Sequence, residues 1–366
     1  MNDLACWKTE LLYKTMLSHE RFMPVLGIDE NVEIPGAEKD VVKYCREKSY
    51  DFVVLDSNQT LVEQENPDII IYQKPYDNKY PVHHRITKNW KALSVYMLYG
   101  FHSVEEDWQF DQQIMLRSWQ YYYENDMAVG NAKKRMRNHG RNIRVTGTPM
   151  MDELMETNGY SKNPWKNKDS RKRIIYAPHA TIQNAMTGVL YSTFLIYGEL
   201  MLKIAKEMSS QVCFAFKPHP NLYKNLLKCW GKDKTDAYYR EWDELENGQL
   251  ELGKYKDLFH YSDAMIHDCA SFTMEYLYTL NPVMYLIRES EEVHTKNLNP
   301  FGKMSFNLHY KGKSEYDIRR FIQDVITGED PLRADREQFY KSALVPPHGK
   351  SACGNIINAI LDNKRI

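Results

Sequence analysis

The sequence contains no C-x-x-C pair: its six cysteines stand singly, at Cys6, Cys45, Cys213, Cys229, Cys269 and Cys353. That spacing excludes zinc-ribbon and dithiol redox chemistry. Several of the cysteines fall in apolar segments, as buried thiols of a reducing cytoplasm do. No uninterrupted apolar run approaches the length of a membrane span, and no signal peptide is read. A cytoplasmic protein is therefore expected. Charge of one sign is also lacking, because 48 Lys and Arg face 49 Asp and Glu. A nucleic-acid binder that needs a strong basic field is thereby disfavoured. The signatures G-x-G-x-x-G, G-x-x-x-x-G-K-[ST], H-E-x-x-H and G-x-S-x-G are missing, which argues against a kinase or a dehydrogenase. There is no D-x-D pair of the kind that holds a metal on a nucleotide sugar. No metal and no cofactor are expected; a diphosphate would be neutralised by a helix N-terminus and side chains. No internal repeat or low-complexity tract is present.

What is there is an ordinary globular composition, 43% hydrophobic, over 366 residues. That length fits two domains, each large enough for a core. Residues 7–18 read as a helix. Strands are expected at Phe22 to Ile28, Asp51 to Asp56, Asp68 to Gln73, Ala92 to Tyr99 and Asp126 to Val129. Trp119 to Tyr123 (WQYYY) reads as packing. Residues 159–172 turn polar and form the expected linker. A second set of strands follows near 173–178, 212–218, 263–267 and 283–287, with closing helices near 314–327 and 351–362. This alternation predicts mostly parallel sheets covered on both faces. The domains are drawn at 1–158, on the acceptor side, and 173–366, on the nucleotide-donor side. The last helix is expected to cross back to the first domain.

Two stretches of the second half carry chemistry. Tyr261 to Leu286 reads as strand, tight turn, helix, short loop and strand. His267-Asp268 ends the first strand, and Cys269-Ala270-Ser271 is small enough for a sharp turn. Phe272 to Leu280 has apolar residues at helical spacing, stopped by Asn281-Pro282. The first turn of such a helix offers free N–H groups and the positive end of its dipole, which suits a phosphate. Ser271 and Thr273 add hydroxyl donors; the bland alternative makes Ser271 only an N-cap. The second stretch, Gln211 to Pro220 (QVCFAFKPHP), is a strand ending in Lys217-Pro218-His219-Pro220, whose prolines stiffen the loop around the imidazole. Ligands of open α/β sheets bind at the carboxyl ends of strands. His219 and Ser271 both belong at such ends, although His219 alone is also compatible with a surface turn.

A strand ending in "HP", then strand, "D-x-S-S", helix and "P-hydrophobic" strand, resembles the CDP-glycerol glycerophosphotransferases, the teichoic-acid and capsule polymerases. Ile174 to Thr181 (IIYAPHAT) resembles the family's "ILYAPTWR". Val145 to Leu154 (VTGTPMMDEL) resembles its "TGxPRxDxL", and the tail from Arg336 resembles its "R-x-x-F…G…I-x-x-I". The order is the same across most of the chain. Two departures stand out. Ala270 replaces the first serine of the pair, and the N-terminal "HGTPLK" is absent, Leu98 to His102 (LYGFH) being its nearest counterpart.

The resemblance implies a GT-B-like α/β fold, with two Rossmann-like domains facing across a crevice. It implies transfer of glycerol or ribitol phosphate from a CDP-activated donor to a polyol-phosphate or glycan acceptor hydroxyl, with release of CMP. His102 or His219 would take the acceptor's proton; His219 could instead stabilise phosphate charge. Ser271, Thr273, Ala270, Asp268, Lys217, His179 and Thr181 would hold the donor phosphates or line their crevice, and Glu275 a hydroxyl. His83 and His84, before Arg85, are weaker candidates. The basic run Lys133, Lys134, Arg135, Arg137, Arg141 and Arg144 reads as a solvated helix face, or as a contact to an anionic bilayer or polyanionic acceptor at the inner membrane face. The rival readings are a GT-B glycosyltransferase using a CMP- or UDP-sugar, a UDP-sugar 2-epimerase and a non-catalytic scaffold.

Overall fold

Parallel pairing dominates, as the unbroken apolar strands predict. The computed structural model describes residues 1–4, 7–32, 35–106, 110–155, 163–183, 189–253 and 255–362. The first half contributes β1 (Leu26–Ile28), β2 (Phe52–Val54), β3 (Ile69–Tyr72), β4 (Leu93–Met97), β5 (Gln120–Tyr123) and β6 (Ile143–Val145). The second half contributes β7 (Lys172–Ala177), β8 (Val212–Phe216), β9 (Gly248–Leu250), β10 (Ala264–His267), β11 (Val283–Leu286) and β12 (Tyr310–Gly312). Among the described residues every strand pair is parallel.

The chain forms two compact units, residues 1–153 with 343–366, and residues 154–342. Residues 343–366 thus group with the first half of the chain rather than with residues 173–342. In the first unit β1 pairs β2, and a four-stranded sheet runs β3-β4-β5-β6. The helices Glu10–Leu17 and Ala352–Leu361 close this sheet, burying Leu12, Met16, Ile356 and Ile360 against Val95, Met97 and Tyr122. The start of the last helix is fixed by Asp152, whose two carboxylate oxygens accept the N–H groups of Ala352 (2.9 Å) and Cys353 (2.7 Å). Gly147, at φ +87°, makes the close approach beside it; a Cβ there would meet Pro346 Cβ at 2.7 Å.

The second unit has one six-stranded sheet in the order β12-β11-β10-β7-β8-β9. β7 is its first strand in sequence. β8 and β9 extend to one side and β10, β11 and β12 to the other, so the order reverses between β7 and β10, the doubly wound arrangement. β8 and β10 are buried along their whole length, as a covered parallel strand should be. The helix Glu315–Thr327 buries Ile318, Phe321, Ile322 and Val325, one stripe at helical spacing. Ser314 caps its start by accepting the Asp317 N–H, and left-handed Gly328 closes its end.

Several local expectations change. Asp126 to Val129 opens the helix Asp126–Arg135 rather than a strand, because the Asn125 side chain accepts the Ala128 N–H and caps it. The strand is instead β5, within the tyrosine run. Phe272 to Leu280 is a single α-turn, Phe272–Glu275, followed by a 3₁₀ turn, Tyr276–Thr279. Leu280 ends it in the left-handed region at φ 61°. Residues 156–162, which include the first part of the expected linker, lie outside the described residues. Its later part packs onto the second unit: Trp165 is buried and donates its indole N–H to the Leu258 carbonyl at 3.3 Å.

Candidate active site

In the second unit, the chain leaving β7 and β8 brings two of the expected histidines together. The His179 and His219 rings lie 4.8 Å apart at 63°. The His219 N–H donates to the Pro178 carbonyl at 3.0 Å, which ties the two loops. Each ring has its tautomer set locally. His179 Nδ1 accepts the Thr181 N–H at 3.2 Å, and His219 Nδ1 accepts the Asn221 N–H at 3.1 Å. In a neutral ring the hydrogen then sits on Nε2. Both rings are held neutral. Burial pulls His179 down to about 4, with His219 adding to it; burial and then the Lys217 charge lower His219. The site therefore presents two neighbouring Nε2–H donors rather than a base. The Nε2 atoms form no hydrogen bond among the described residues.

Across the switch point, the turn after β10 leaves Ala270 and Ser271 exposed. Ser271 has helical backbone angles and its side chain caps nothing, so the N-cap alternative does not describe it. The Phe272–Glu275 segment is too short for a sizeable dipole, and its Met274 and Glu275 N–H groups donate to the Ser271 carbonyl, so the turn offers a ligand only its earliest N–H groups and the Ser271 hydroxyl.

Other expected donor contacts are engaged internally. Asp268 is fully buried. Its carboxylate accepts the His179 N–H at 2.5 Å, the Thr193 N–H and the Thr193 hydroxyl at 2.7 Å. It pins the chain after β7 and the start of the Phe194–Glu207 helix instead of facing a ligand. Burial raises its carboxyl to about 6 despite those hydrogen bonds. Thr181 is buried; its Oγ1 accepts the Tyr191 N–H at 3.0 Å and lies 2.9 Å from His179 Nδ1. It positions that ring. The Thr273 hydroxyl donates to the Cys269 carbonyl at 3.2 Å, closing the turn. Glu275 is buried, and its Oε2 has no hydrogen-bond partner among the described residues. The Lys217 ammonium is buried and donates to the Gly253 carbonyl at 2.9 Å. Arg288, just past β11, donates to the Ile182 and Ser192 carbonyls and adds a second clamp beside Asp268.

In the first unit, His102 is not a free loop residue. Glu124, directly after β5, accepts its backbone N–H at 2.8 Å and pairs with Nδ1 at 2.6 Å. The ring stacks on Tyr123 at 3.7 Å, and its Nε2 lies 2.7 Å from the Tyr121 hydroxyl. With the Glu124 carboxylate accepting from Nδ1–H, a neutral ring carries its lone pair on Nε2, and the Tyr121 hydroxyl, kept protonated by burial, donates to it. A carboxylate behind Nδ1 with a lone pair on Nε2 is the orientation a histidine base requires. Glu124 and Tyr121 escaped the sequence reading, since a tyrosine run reads as packing until the strand ends are known. His84 is buried between Asp29 Oδ1 (2.8 Å) and the Asp56 carbonyl (3.0 Å), which makes it a structural tie; His83, exposed beside it, joins no such pair.

The basic run does not form one helix face. Lys133, Lys134 and Arg135 end a helix, whereas Arg137, Arg141 and Arg144 follow it. Arg135 pairs with Glu105 at 3.0 Å and Arg137 with Asp111 at 3.1 Å. Among the described residues no three His, Cys, Asp or Glu side chains converge as a metal set, and no helix is long and apolar enough to cross a membrane.

Comparison with known proteins agrees with this architecture. A variant of the wall teichoic acid polymerase TagF matches with a TM-score of 0.59 at 13% identity, over 93% of this chain and 88% of that one. The UDP-GlcNAc 2-epimerase from Neisseria meningitidis bound to UDP-GlcNAc matches at 0.58 and 14%, over 97% and 96%. The S. aureus MnaA–UDP co-structure matches at 0.57 and 11%, over 97% and 92%. At these identities the likeness is one of fold, the GT-B-like class. No curated protein sequence matches. The model of the family described as CDP-glycerol:poly(glycerophosphate) glycerophosphotransferase matches residues 10–345, nearly the whole chain. The chain belongs to that family of transferases.

Proposed function

We propose that this chain transfers a polyol phosphate, glycerol or ribitol phosphate, from a CDP-activated donor to an acceptor hydroxyl during synthesis of a cell-surface polymer. The acceptor oxygen forms a bond to the donor's β-phosphorus. The bond from that phosphorus to the bridging oxygen breaks, and CMP leaves with the bridging oxygen. Such chemistry depends on positioning and on placing donors where charge develops. In the second unit, His179 and His219 supply Nε2–H donors to the phosphate oxygens, with the Ala270–Ser271 turn adding backbone N–H groups and a hydroxyl. This assigns the diphosphate to protein donors, without a metal. Because its hydrogen is on Nε2, His219 suits charge stabilisation rather than proton removal. In the first unit, His102 is the group suited to take the acceptor's proton. The acceptor alcohol replaces the Tyr121 hydroxyl at Nε2, and Glu124 stabilises the imidazolium that forms.

The observation that carries this reading is the pair of neutral histidines after β7 and β8, both with Nε2–H unpartnered among the described residues. The basic run gives less support to docking on a bilayer, since two of its arginines already have acidic partners. Calorimetry of the purified chain against CDP-glycerol, CDP-ribitol, CMP-sugars and UDP-sugars tests the donor, and the linkage in the product tests the reaction. A phosphodiester with CMP release is the expected result. A glycosidic link would overturn it in favour of a sugar transferase. Replacing His179 and His219 together by phenylalanine should abolish the thermal stabilisation given by CDP; an undiminished shift would remove both from the site.

A further inference from the structure

A second candidate site lies on the first unit, at the opposite end of its strands from His102. An open pocket of about 380 Å³ is lined by Gln113, Leu116, Arg117, Arg137, Asn138 and Arg141. Its volume falls in the ~300–1,000 Å³ range of small-ligand sites. The lining holds three guanidinium groups and no carboxylate. Arg117 ends the Gln113–Arg117 helix and is steadied by Nε donation to Gln113 Oε1 at 2.5 Å. Arg137 is held through Nε by Asp111 at 3.1 Å. The Arg141 guanidinium has no partner among the described residues. Asn138 braces the floor through its amide, which donates to Asn142 Oδ1 at 3.0 Å. The arginines are therefore partly ordered while most of their N–H groups remain available. A planar guanidinium, charged at every working pH, matches two oxygens of a phosphate at once.

The placement sets the pocket apart from the proposed base. Arg117 precedes β5 and Arg141 precedes β6, whereas Glu124 follows β5. Four residues of strand at ~3.3 Å each, ~13 Å, separate the two ends. We propose that this arginine pocket binds phosphodiester groups of the acceptor chain, holding a section already made while its terminal hydroxyl is elongated elsewhere. The proposal rests on the transfer reaction proposed above, with a polyol-phosphate chain as its acceptor. Exposed Trp90 and Leu93 stand just before and at the start of β4, at the same strand ends, so a bilayer is the competing occupant that the vesicle arm of the test addresses. The acceptor chain is favoured because three guanidinium groups with no carboxylate in the lining match repeated phosphodiesters.

The test uses the full chain and a fluorescent synthetic glycerol-phosphate oligomer, with binding read directly and not through turnover. Replacing Arg117 and Arg141 together by glutamine should weaken oligomer binding about tenfold, the ratio for losing two solvent-exposed charge contacts. The salt dependence of binding should become shallower. The CDP-induced rise in Tm serves as the folding control. Should the double variant fail to fold, Arg141→Gln alone, at an exposed position, should still weaken binding about threefold. Unchanged oligomer affinity in either variant would overturn the proposal. So would loss of binding to phosphatidylglycerol-containing vesicles with oligomer affinity intact, which would make the surface a lipid contact. A wild-type chain that binds the oligomer but transfers nothing from any CDP-polyol would sink the function above and leave the pocket standing. Transfer activity with no oligomer affinity at the pocket would do the reverse.

Discussion

Replacing Glu124 by glutamine keeps the volume behind His102 and removes the charge. In the wild type, two carboxylate oxygens meet two donors, the His102 N–H at 2.8 Å and Nδ1–H at 2.6 Å. A carboxamide has one acceptor oxygen. If that oxygen stays on the backbone N–H, the NH₂ group faces Nδ1 and forces a lone pair there. The ring hydrogen then moves to Nε2, where the base needs its lone pair. Loss of general-base catalysis costs about a hundredfold to ten-thousandfold in rate, or ~3–5 kcal/mol at ~1.36 kcal/mol per tenfold. The assay is CMP release at saturating donor. We expect kcat to fall by that factor with donor KM changed less than about twofold, since the lost interaction belongs to the transition state. Glu124→Asp should recover part of the rate, as its carboxylate still accepts from Nδ1. A Glu124→Gln enzyme within a few-fold of wild type would refute the base assignment and leave His102 as an anchor of its loop.

Asp268→Asn should cost about 1–3 kcal/mol, because its NH₂ group would oppose one of three donors that the carboxylate now satisfies. The sign of its pH effect follows from burial: with a folded value of about 6 against ~3.9 unfolded, the carboxyl contributes stability below pH ~4 that is lost as pH rises through 6. Urea melts across that window should show the step in the wild type and a flattened one in the variant; equal slopes would refute it. His84 behaves as a base with a raised value. Burial pulls it down, but the hydrogen bond and charge of Asp29 more than offset this. Its stabilisation is complete below the unfolded value of ~6.5 and is lost as pH rises through the folded one. His84→Gln should therefore lose more stability relative to wild type at pH 6 than at pH 9, and an equal loss at both would count against the ion pair.

The parallel strands and the switch-point loops were legible because their residues obey local rules. VCFAF can only be a covered strand, and Lys217-Pro218-His219-Pro220 can only leave it stiffly. The engagement of polar side chains was not legible. Asp268, Thr181 and Thr273 stand at strand ends, where a ligand would also stand, and nothing in a linear sequence says that Thr193, Tyr191 and Cys269 fold back to meet them. Asp126 to Val129 failed for a different reason. Its short apolar content fits either period, and the Asn125 cap decided it. Glu124 was hidden because its meaning depends on His102, 22 residues away, reaching it across adjacent strand ends.

The clasp in which Asp152 receives the Ala352 and Cys353 N–H groups has a consequence for the order in which the protein can be made. The second unit is one contiguous stretch, complete once residue 342 has emerged. The first unit must wait for residues 343–366, because Ile356 and Ile360 complete the cover over Val95 and Met97. On the ribosome, the half translated first therefore finishes folding last. Its β4–β5 surface stays open throughout synthesis of the second half, a period when an unfinished apolar face is exposed to aggregation. A premature stop near the carboxyl terminus would thus be felt in the amino-terminal sheet, around the strand that carries Tyr121 and leads into Glu124.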